Sequence, residues 1–497
     1  MITSRRATGW QSGTTIVRLD VLEPDESLRL LTTLLTINGP RDSEGAAELC
    51  AELGHLPLAI RQAGAYLAQD PFFTPRGYLR LLADYPAEMF GQADVDTDSE
   101  RTIARIWRIT LDRIAEREPA AVDLLCALAW FAPEAIPLTL CQLRELDPPK
   151  RSTALGLLAA YNMITPDPTT GTLSIHRLVQ AVARTPDAID PHRRSGVIER
   201  ARTRATNTLH TALPDYADPG MWPIWRALLP HIEALTRHTT SDSDSASAGV
   251  VTAAIRNHTG MFLSGQGLHT SAVHHLYHAL AHCERILGPE HPNTLTSRNN
   301  LALAYEAAGR VGEAVPLLER TLTDRQRILG TDHPDTLSSR SNLALAYRAA
   351  GRIREAIPLL EQTLADCERI LGEEHSNTLT FRNNLAGAYQ STGWIGEAIS
   401  LYERTLADCE RDLGPDHPNT LSSRNNLAGA YEAAGRVGEA ISLYERALAD
   451  CERVLGPEHP NTLTFRNNLA DTYREMGRVG EAIPLLERTL ADCDRVL

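Results

Sequence analysis

Lysine is almost absent from this chain of 497 residues: 49 positions are Lys or Arg, and Lys150 is the only lysine. A phosphate-cradling loop of the type Gly-x-x-x-x-Gly-Lys-[Ser/Thr] needs a lysine after its last glycine, whereas Lys150 follows Pro148-Pro149. The arginine bias fits a GC-rich bacterial genome. Aromatic residues make up only 5%, which suits small-residue packing between helices better than a large aromatic catalytic core. No stretch approaches the ~18 apolar residues that cross a bilayer, and Met1-Ile2-Thr3-Ser4-Arg5-Arg6 leads into no apolar segment, so no secretory leader is expected. None of the eight cysteines forms a C-x-x-C pair. Cys367, Cys409, Cys451 and Cys493 are 42 apart, which marks a repeated helix position rather than a disulfide framework. A reduced, cytoplasmic compartment is the expectation. The formal charge of −14 argues against a general binder of nucleic-acid backbones, whose affinity comes from Lys and Arg.

What is present is periodicity. The motif Gly288-Pro289-Glu290-His291-Pro292 returns, slightly altered, at Gly330, Gly372, Gly414 and Gly456, always 42 residues on. Each copy reads as two helices. Asn293, or its counterpart Asp335, follows Pro and is expected to cap a first helix that runs to a glycine such as Gly309, suited to a left-handed C-cap. The second helix carries the apolar pattern of Val315, Leu317, Leu318, Leu322 and Leu329, with small Ala314 and its counterparts allowing close approach. A sixth, worn copy is expected at 246–287, since Gly267 precedes Gly309 by 42 and Cys283-Glu284-Arg285 matches later triplets.

The order Asn300-Leu301-Ala302, Tyr305, Gly309, Glu313-Ala314 resembles the tetratricopeptide repeat, in the 42-residue form of kinesin light chains. The resemblance implies an α-solenoid stabilised by neighbour stacking, with the first helix of each repeat lining a concave groove for a peptide or protein partner. The matching positions are Asn299, Asn300, Ser341, Asn342, Asn383, Asn384, Asn425, Asn426, Asn467 and Asn468. An amide donates and accepts at once, so it can pair with a peptide backbone whatever its sequence. The alternative is that these amides only tie neighbouring repeats together. A last repeat without a polar capping helix implies truncation or self-association through its apolar face.

His291, His333, His375, His417 and His459 recur before each first helix, and one imidazole per 42 residues closes no tetrahedral metal site. Loop packing is the expected role. His274, His278 and His282, at i, i+4 and i+8, are the better metal candidates, but no carboxylate partner is evident and no metal is expected.

The front of the chain has another texture. Ile2–Arg5 and Ile16–Leu19 read as strands, and helices are predicted over Pro24–Leu35, through Gly54–Ala59, and over Ser99–Arg117, Ala120–Phe131 and Thr153–Asn162. Ile164–Thr165 and Leu173–Ile175 flank a Pro/Asp/Gly turn as a hairpin wing, followed by a helix over His176–Arg184. Thr3-Ser4-Arg5, Gly54-His55-Leu56-Pro57-Leu58-Ala59 and Ile175-His176-Arg177 resemble, in order, the sensor-Arg segment, the Gly-Leu-Pro-Leu motif and the Met-His-Asp motif of NB-ARC modules, the nucleotide switches of STAND signalling ATPases. The resemblance implies that Arg5 senses the γ-phosphate, Pro57 packs on adenine and His176 touches the β-phosphate of ADP. Arg177 departs from the family's Asp. Without the phosphate loop, the chain alone is not expected to hydrolyse ATP, and ADP or ATP is expected only if that domain is supplied.

The sequence therefore predicts a mainly α protein. A partial NB-ARC stretch (1–98) precedes a winged-helix-like domain (99–186), a helical connector (187–238), a linker (239–245), the worn repeat (246–287) and five repeats (288–497). The expected role is an interaction scaffold or sensor joined to a truncated signalling switch. A nucleotide-binding regulatory switch is the alternative, and a DNA-binding regulator is disfavoured because the helices of 100–186 carry no basic stripe.

Overall fold

The computed structural model describes residues 22–37, 41–70, 72–83, 98–144, 146–237 and 246–496. The two N-terminal strands predicted from the sequence, with Arg5, lie outside them. The chain divides into two compact units: 1–212 with 230–238, and 213–229 with 239–497. The expected helical connector is thus shared between the two.

In the front unit α1 (Pro24–Thr36) packs against α2 (Ala46–Glu52) and α3 (Pro57–Ala68), α2 against α4 (Pro75–Ala83), and α3 against α5 (Asp98–Arg117). Then α6 (Pro119–Leu128) packs on α7 (Pro148–Ala160), α8 (Arg177–Arg184) and α9 (Ser195–Ala212). The predicted hairpin is present as β2 (Thr165–Asp167) and β3 (Thr172–Ser174), paired antiparallel with Pro166 opposite Leu173. Its turn is held by Asp167, whose carboxylate accepts from the Thr169 N–H and from the Thr169 and Thr170 hydroxyls. Those bonds keep the carboxyl below its ordinary pKa. A third strand, β1 (Ile136–Pro137), adds to the other edge of β3 and was not foreseen from the sequence. Two residues with a proline carry no alternation to read.

The second unit takes in the start of α10 (Trp222–Arg237) and then six helix pairs: α11 (Ala246–Gly265) with α12 (His269–Leu287), α13 (Pro292–Ala307) with α14 (Val311–Leu329), α15 (Pro334–Ala349) with α16 (Ile353–Leu371), α17 (Ser376–Ser391) with α18 (Ile395–Asp412), α19 (Pro418–Ala433) with α20 (Val437–Leu455), and α21 (Pro460–Glu475) with α22 (Val479–Val496). Residues 246–249 form the first turn of α11.

The local rules hold in every repeat with one change of cast. Proline fixes φ at the first helical position of α13, so the cap is the residue before it. The cap is therefore His291, not Asn293: its Nδ1 accepts the Asn293 N–H at 3.1 Å. His333, His375, His417 and His459 do the same at 3.2, 3.1, 3.2 and 3.0 Å. At the other end Gly309 takes φ +73, and the Arg310 N–H reaches back 2.8 Å to the Tyr305 carbonyl. Buried alanines such as Ala302, Ala314, Ala344 and Ala356 let paired helices close on Leu318, Leu343 and Leu360.

Stacking supplies the rest of the burial. Leu322, Leu364, Leu406 and Leu448 occupy one repeated position and are 7–9% exposed, whereas Leu490 at the same position is 65% exposed.

Candidate functional site

The first helices of consecutive repeats (α13, α15, α17, α19, α21) touch one another, while the second helices are held further apart. An array built this way bends with its first helices inside, and the inner surface is the candidate site.

The amide pairs lie on these helices, and most bond between repeats. Asn300 donates to Asn257 Oδ1 at 3.1 Å, Asn342 to Asn299 Oδ1 at 3.1 Å, Asn384 to Ser341 Oγ at 3.1 Å and Asn468 to Asn425 Oδ1 at 3.2 Å. The seam around Asn426 differs, because Asn383 Nδ2 donates instead to Ser423 Oγ at 2.6 Å and leaves its Oδ1 buried without a partner. Asn467 is exposed. One bond per amide leaves capacity for others, since an amide offers two donors and an acceptor with two lone pairs.

A size exchange sets the floor of this surface. The first two repeats carry Leu303 with Leu318 and Leu345 with Leu360 at two repeat positions where the next two carry Gly387 with Tyr402 and Gly429 with Tyr444. A Cβ on Gly387 would lie 3.2 Å from the Tyr402 hydroxyl, and one on Gly429 would lie 3.2 Å from that of Tyr444. Each tyrosine thus brings a phenol up through the place its partner vacates. Burial pushes Tyr402 up to about 12, and burial together with Glu432 raises Tyr444, so both remain neutral hydroxyls. Gln390 donates to the Gly429 carbonyl at 3.1 Å, and Glu306 is half-buried, which raises its pKa despite nearby Arg348.

Behind this surface runs a ladder that sequence reading missed. Arg298, Arg340, Arg382, Arg424 and Arg466 are at most 2% exposed. Each bonds the aspartate 26 residues on, in the second helix of its own repeat: Asp324, Asp366, Asp408, Asp450 and Asp492, at 2.7–2.8 Å. Four also reach the glutamate 14 residues back, in the preceding repeat: Glu284, Glu368, Glu410 and Glu452, at 2.7–3.4 Å. The signal was available, since Arg, Asp and Glu all recur at 42, but charged residues at fixed spacing read equally well as a solvated face.

Pro57 opens α3 after a tight reversal in which Gly54 (φ +58) and His55 (φ +52) are both left-handed. The His55 ring bonds Ser27 Oγ at 2.8 Å and its carbonyl accepts the Leu22 N–H at 3.0 Å. His176 is the N-cap of α8, its Nδ1 accepting the Leu178 N–H at 3.2 Å, and burial followed by Arg177 lowers its pKa. Lys150 lies in the first turn of α7, 3.8 Å from Asp147. The His274 and His278 rings approach to 4.6 Å, but among the described residues no group of three or more His, Cys, Asp or Glu is placed to hold a metal. Burial and nearby Arg256, Arg285 and His278 push His282 down to about 4.

Residues 251–326, 307–369, 353–407, 377–449 and 423–494 match the tetratricopeptide repeat family. The chain is 33% identical over 307 residues to a nucleotide-binding leucine-rich repeat (NLR)-like protein of Hyaloscypha variabilis, a match over 60% of this chain and 30% of that protein. It thus spans about a third of the curated relative's length. Among solved structures, a kinesin light chain repeat protein of Podosopora anserina is 40% identical, over 41% of this chain and 96% of that one, with a TM-score of 0.35. A signal transduction ATPase with numerous domains (STAND) and a tetratricopeptide repeat sensor, from Pyrococcus horikoshii, is 15% identical over 98% of this chain and 71% of that one, with a TM-score of 0.42.

Proposed function

Residues 251–494 being tetratricopeptide repeats, we propose that the chain is an interaction scaffold or sensor whose inner repeat face takes an extended peptide segment of a partner. The observation that carries this reading is the pair of leucine-to-glycine changes at 387 and 429 opposite Tyr402 and Tyr444. They set two neutral hydroxyls, on side chains 3% exposed, against helix backbone where the first two repeats carry leucine. A peptide backbone needs such a row of alternating donors and acceptors, and each bond contributes about 0.5–1.5 kcal/mol net. A handful of them with some apolar contact reaches micromolar affinity, about −8 kcal/mol.

In this reading the front unit is the rear part of an NB-ARC-type switch, with Pro57 and His176 as its nucleotide-facing remnants. Nucleotide is held only when a phosphate-binding loop is supplied, and this chain alone does not hydrolyse ATP. The NLR-like relative favours a switch that gates the sensor. Calorimetric titration of the full chain with ADP is expected to show no binding; tight binding would move the function to the front unit.

Filling the floor while keeping the packing tests the groove directly. The variant Gly387→Leu/Tyr402→Leu/Gly429→Leu/Tyr444→Leu copies the pairing of the first two repeats. Peptides selected on the unmodified chain from a displayed random library are expected to lose binding to it. Unchanged binding would rule the inner face out.

A further inference from the structure

Four of the five intact repeats close the bend between their two helices in the same way. Arg310, Arg352, Arg436 and Arg478 each lay a guanidinium over the tyrosine five residues back, Tyr305, Tyr347, Tyr431 and Tyr473, at 3.9–4.4 Å from the ring centroid. Each also donates two bonds to the glutamate three residues on, Glu313, Glu355, Glu439 and Glu481, at 2.5–2.9 Å. The third repeat keeps the tyrosine and the glutamate, as Tyr389 and Glu397, but carries Trp394 in place of the arginine.

The exchange removes a cation and leaves its partners in place. Trp394 tilts against Tyr389, with ring centroids 5.2 Å apart and planes at 44°, and is 50% exposed. Among the described residues Glu397 has neither a hydrogen bond nor an ion pair, and Glu361 on α16 accepts only the Tyr389 hydroxyl, at 2.7 Å. Burial, then Glu361, then Glu397 push Tyr389 up to about 12, so the phenol stays a neutral donor. An open cavity of about 540 Å³ lies here, lined by Leu385 and Tyr389 from α17 and by Gly396, Glu397, Ser400 and Leu401 from α18. It sets a carboxylate without a cation beside an apolar and aromatic floor.

We propose that this cavity is a docking site for an arginine side chain of a protein partner, whose guanidinium bonds Glu397 while its stem covers Tyr389 and Leu401. The chain itself shows what suits the site, because the same tyrosine and glutamate hold a guanidinium in four other repeats. Glu397 offers a planar carboxylate to a planar fork, and an aromatic floor favours a cation over a neutral group. The overall charge of −14 also favours a basic partner. An open cavity suits a side chain delivered by a macromolecule, whereas pockets for free small molecules enclose most of their ligand. None of the lining residues belongs to the amide row or to the glycine–tyrosine exchange. The site therefore stands apart from the peptide-binding function proposed above and does not depend on it.

The test uses the full chain labelled with 5-fluorotryptophan and the probe N-acetyl-arginine methylamide, which mimics an arginine within a polypeptide. Trp394→Phe assigns the Trp394 fluorine resonance among those of the six tryptophans. The probe is expected to shift that resonance saturably at millimolar concentration, and the neutral citrulline analogue is expected to leave it in place. Glu397→Gln is expected to weaken binding by about fivefold. Trp394→Arg restores the pairing of the other repeats, so it is expected to melt no lower than the parent and to fill the site with its own guanidinium. Saturation transfer to the probe, read from the probe's own NMR signals, is then expected to fall to background. An unshifted Trp394 resonance, equal shifts with the citrulline analogue, or undiminished binding in Glu397→Gln or Trp394→Arg overturns the site. Free L-arginine binding more tightly than the probe would make the cavity an amino-acid pocket and overturn the protein partner.

Discussion

Trp222 lies flat on His459, with ring centroids 5.0 Å apart and planes at 17°. The two are far apart in sequence but belong to the same compact unit. Burial pushes His459 down to about 4, and its Nδ1 accepts the Asn461 N–H at the start of α21. Protonation would remove that acceptor and place a positive charge at a helix N-terminus, both unfavourable.

An acid sensitivity follows from the sign of this shift. An unfolded histidine takes its proton near pH 6.5, above the folded value of about 4 for His459 and for His282. The unfolded state therefore binds more protons between those limits, and stability is full above pH 6.5 and falls as pH drops towards 4. Urea unfolding at pH 7.0, 6.0 and 5.0 is expected to show a midpoint that decreases with pH. In Trp222→Ala the His459 imidazole is expected to titrate closer to its ordinary pKa, which an NMR pH titration reads directly.

The arginine ladder gives a contrast between buried and exposed pairs. Asp408→Asn leaves Arg382, fully buried, with only Glu368 as a charged partner. A loss of about 3 kcal/mol is expected from removing one side of a buried pair. Glu313→Gln breaks the exposed pair with Arg310, where both side chains are about half in water, and is expected to leave stability nearly unchanged. Urea titration of the two variants checks the difference.

The glycine–tyrosine exchange is expected to behave as a coupled pair. Gly429→Leu alone overpacks against the Tyr444 hydroxyl and is expected to cost about 1–3 kcal/mol. Adding Tyr444→Leu recreates the pairing of Leu303 with Leu318 and is expected to recover most of that loss. Thermal melts of the single and double variants measure the coupling.

Stacking predicts that one residue type has different worth at two ends of the array. Leu448→Ala removes a side chain that is 7% exposed and is expected to cost about 2–5 kcal/mol. Leu490→Ala alters the same repeat position at 65% exposure and is expected to cost under about 1 kcal/mol. Equal losses would contradict nearest-neighbour stacking as the source of stability.

The helix pairs were legible in the sequence because each repeat states its own boundaries, with Pro292 at one end of α13, Gly309 at the other, and alanines where helices touch. The cap itself was misread, since Asn is the commoner capping residue, yet Pro292 excludes it by holding the first helical position. The amide pairs were placed on the right helices. Their bonds to one another were not readable, because whether an amide faces a neighbour or a ligand depends on how far adjacent helices stand apart. The same holds for Arg382 and its carboxylates: a period of 42 places them in every repeat without saying that they point inwards. Gly387 and Tyr402 could have been found by comparing repeats position by position, since both change together.

Whether a peptide lies on the inner face is read most directly by photo-crosslinking. A benzophenone side chain placed at Leu345, on the inner helix α15, is expected to crosslink a library-selected peptide. The same group at Gln362, exposed on the second helix α16, is expected to leave the peptide free. Crosslinking at 362 with none at 345 would place the partner on the outer face and contradict the account.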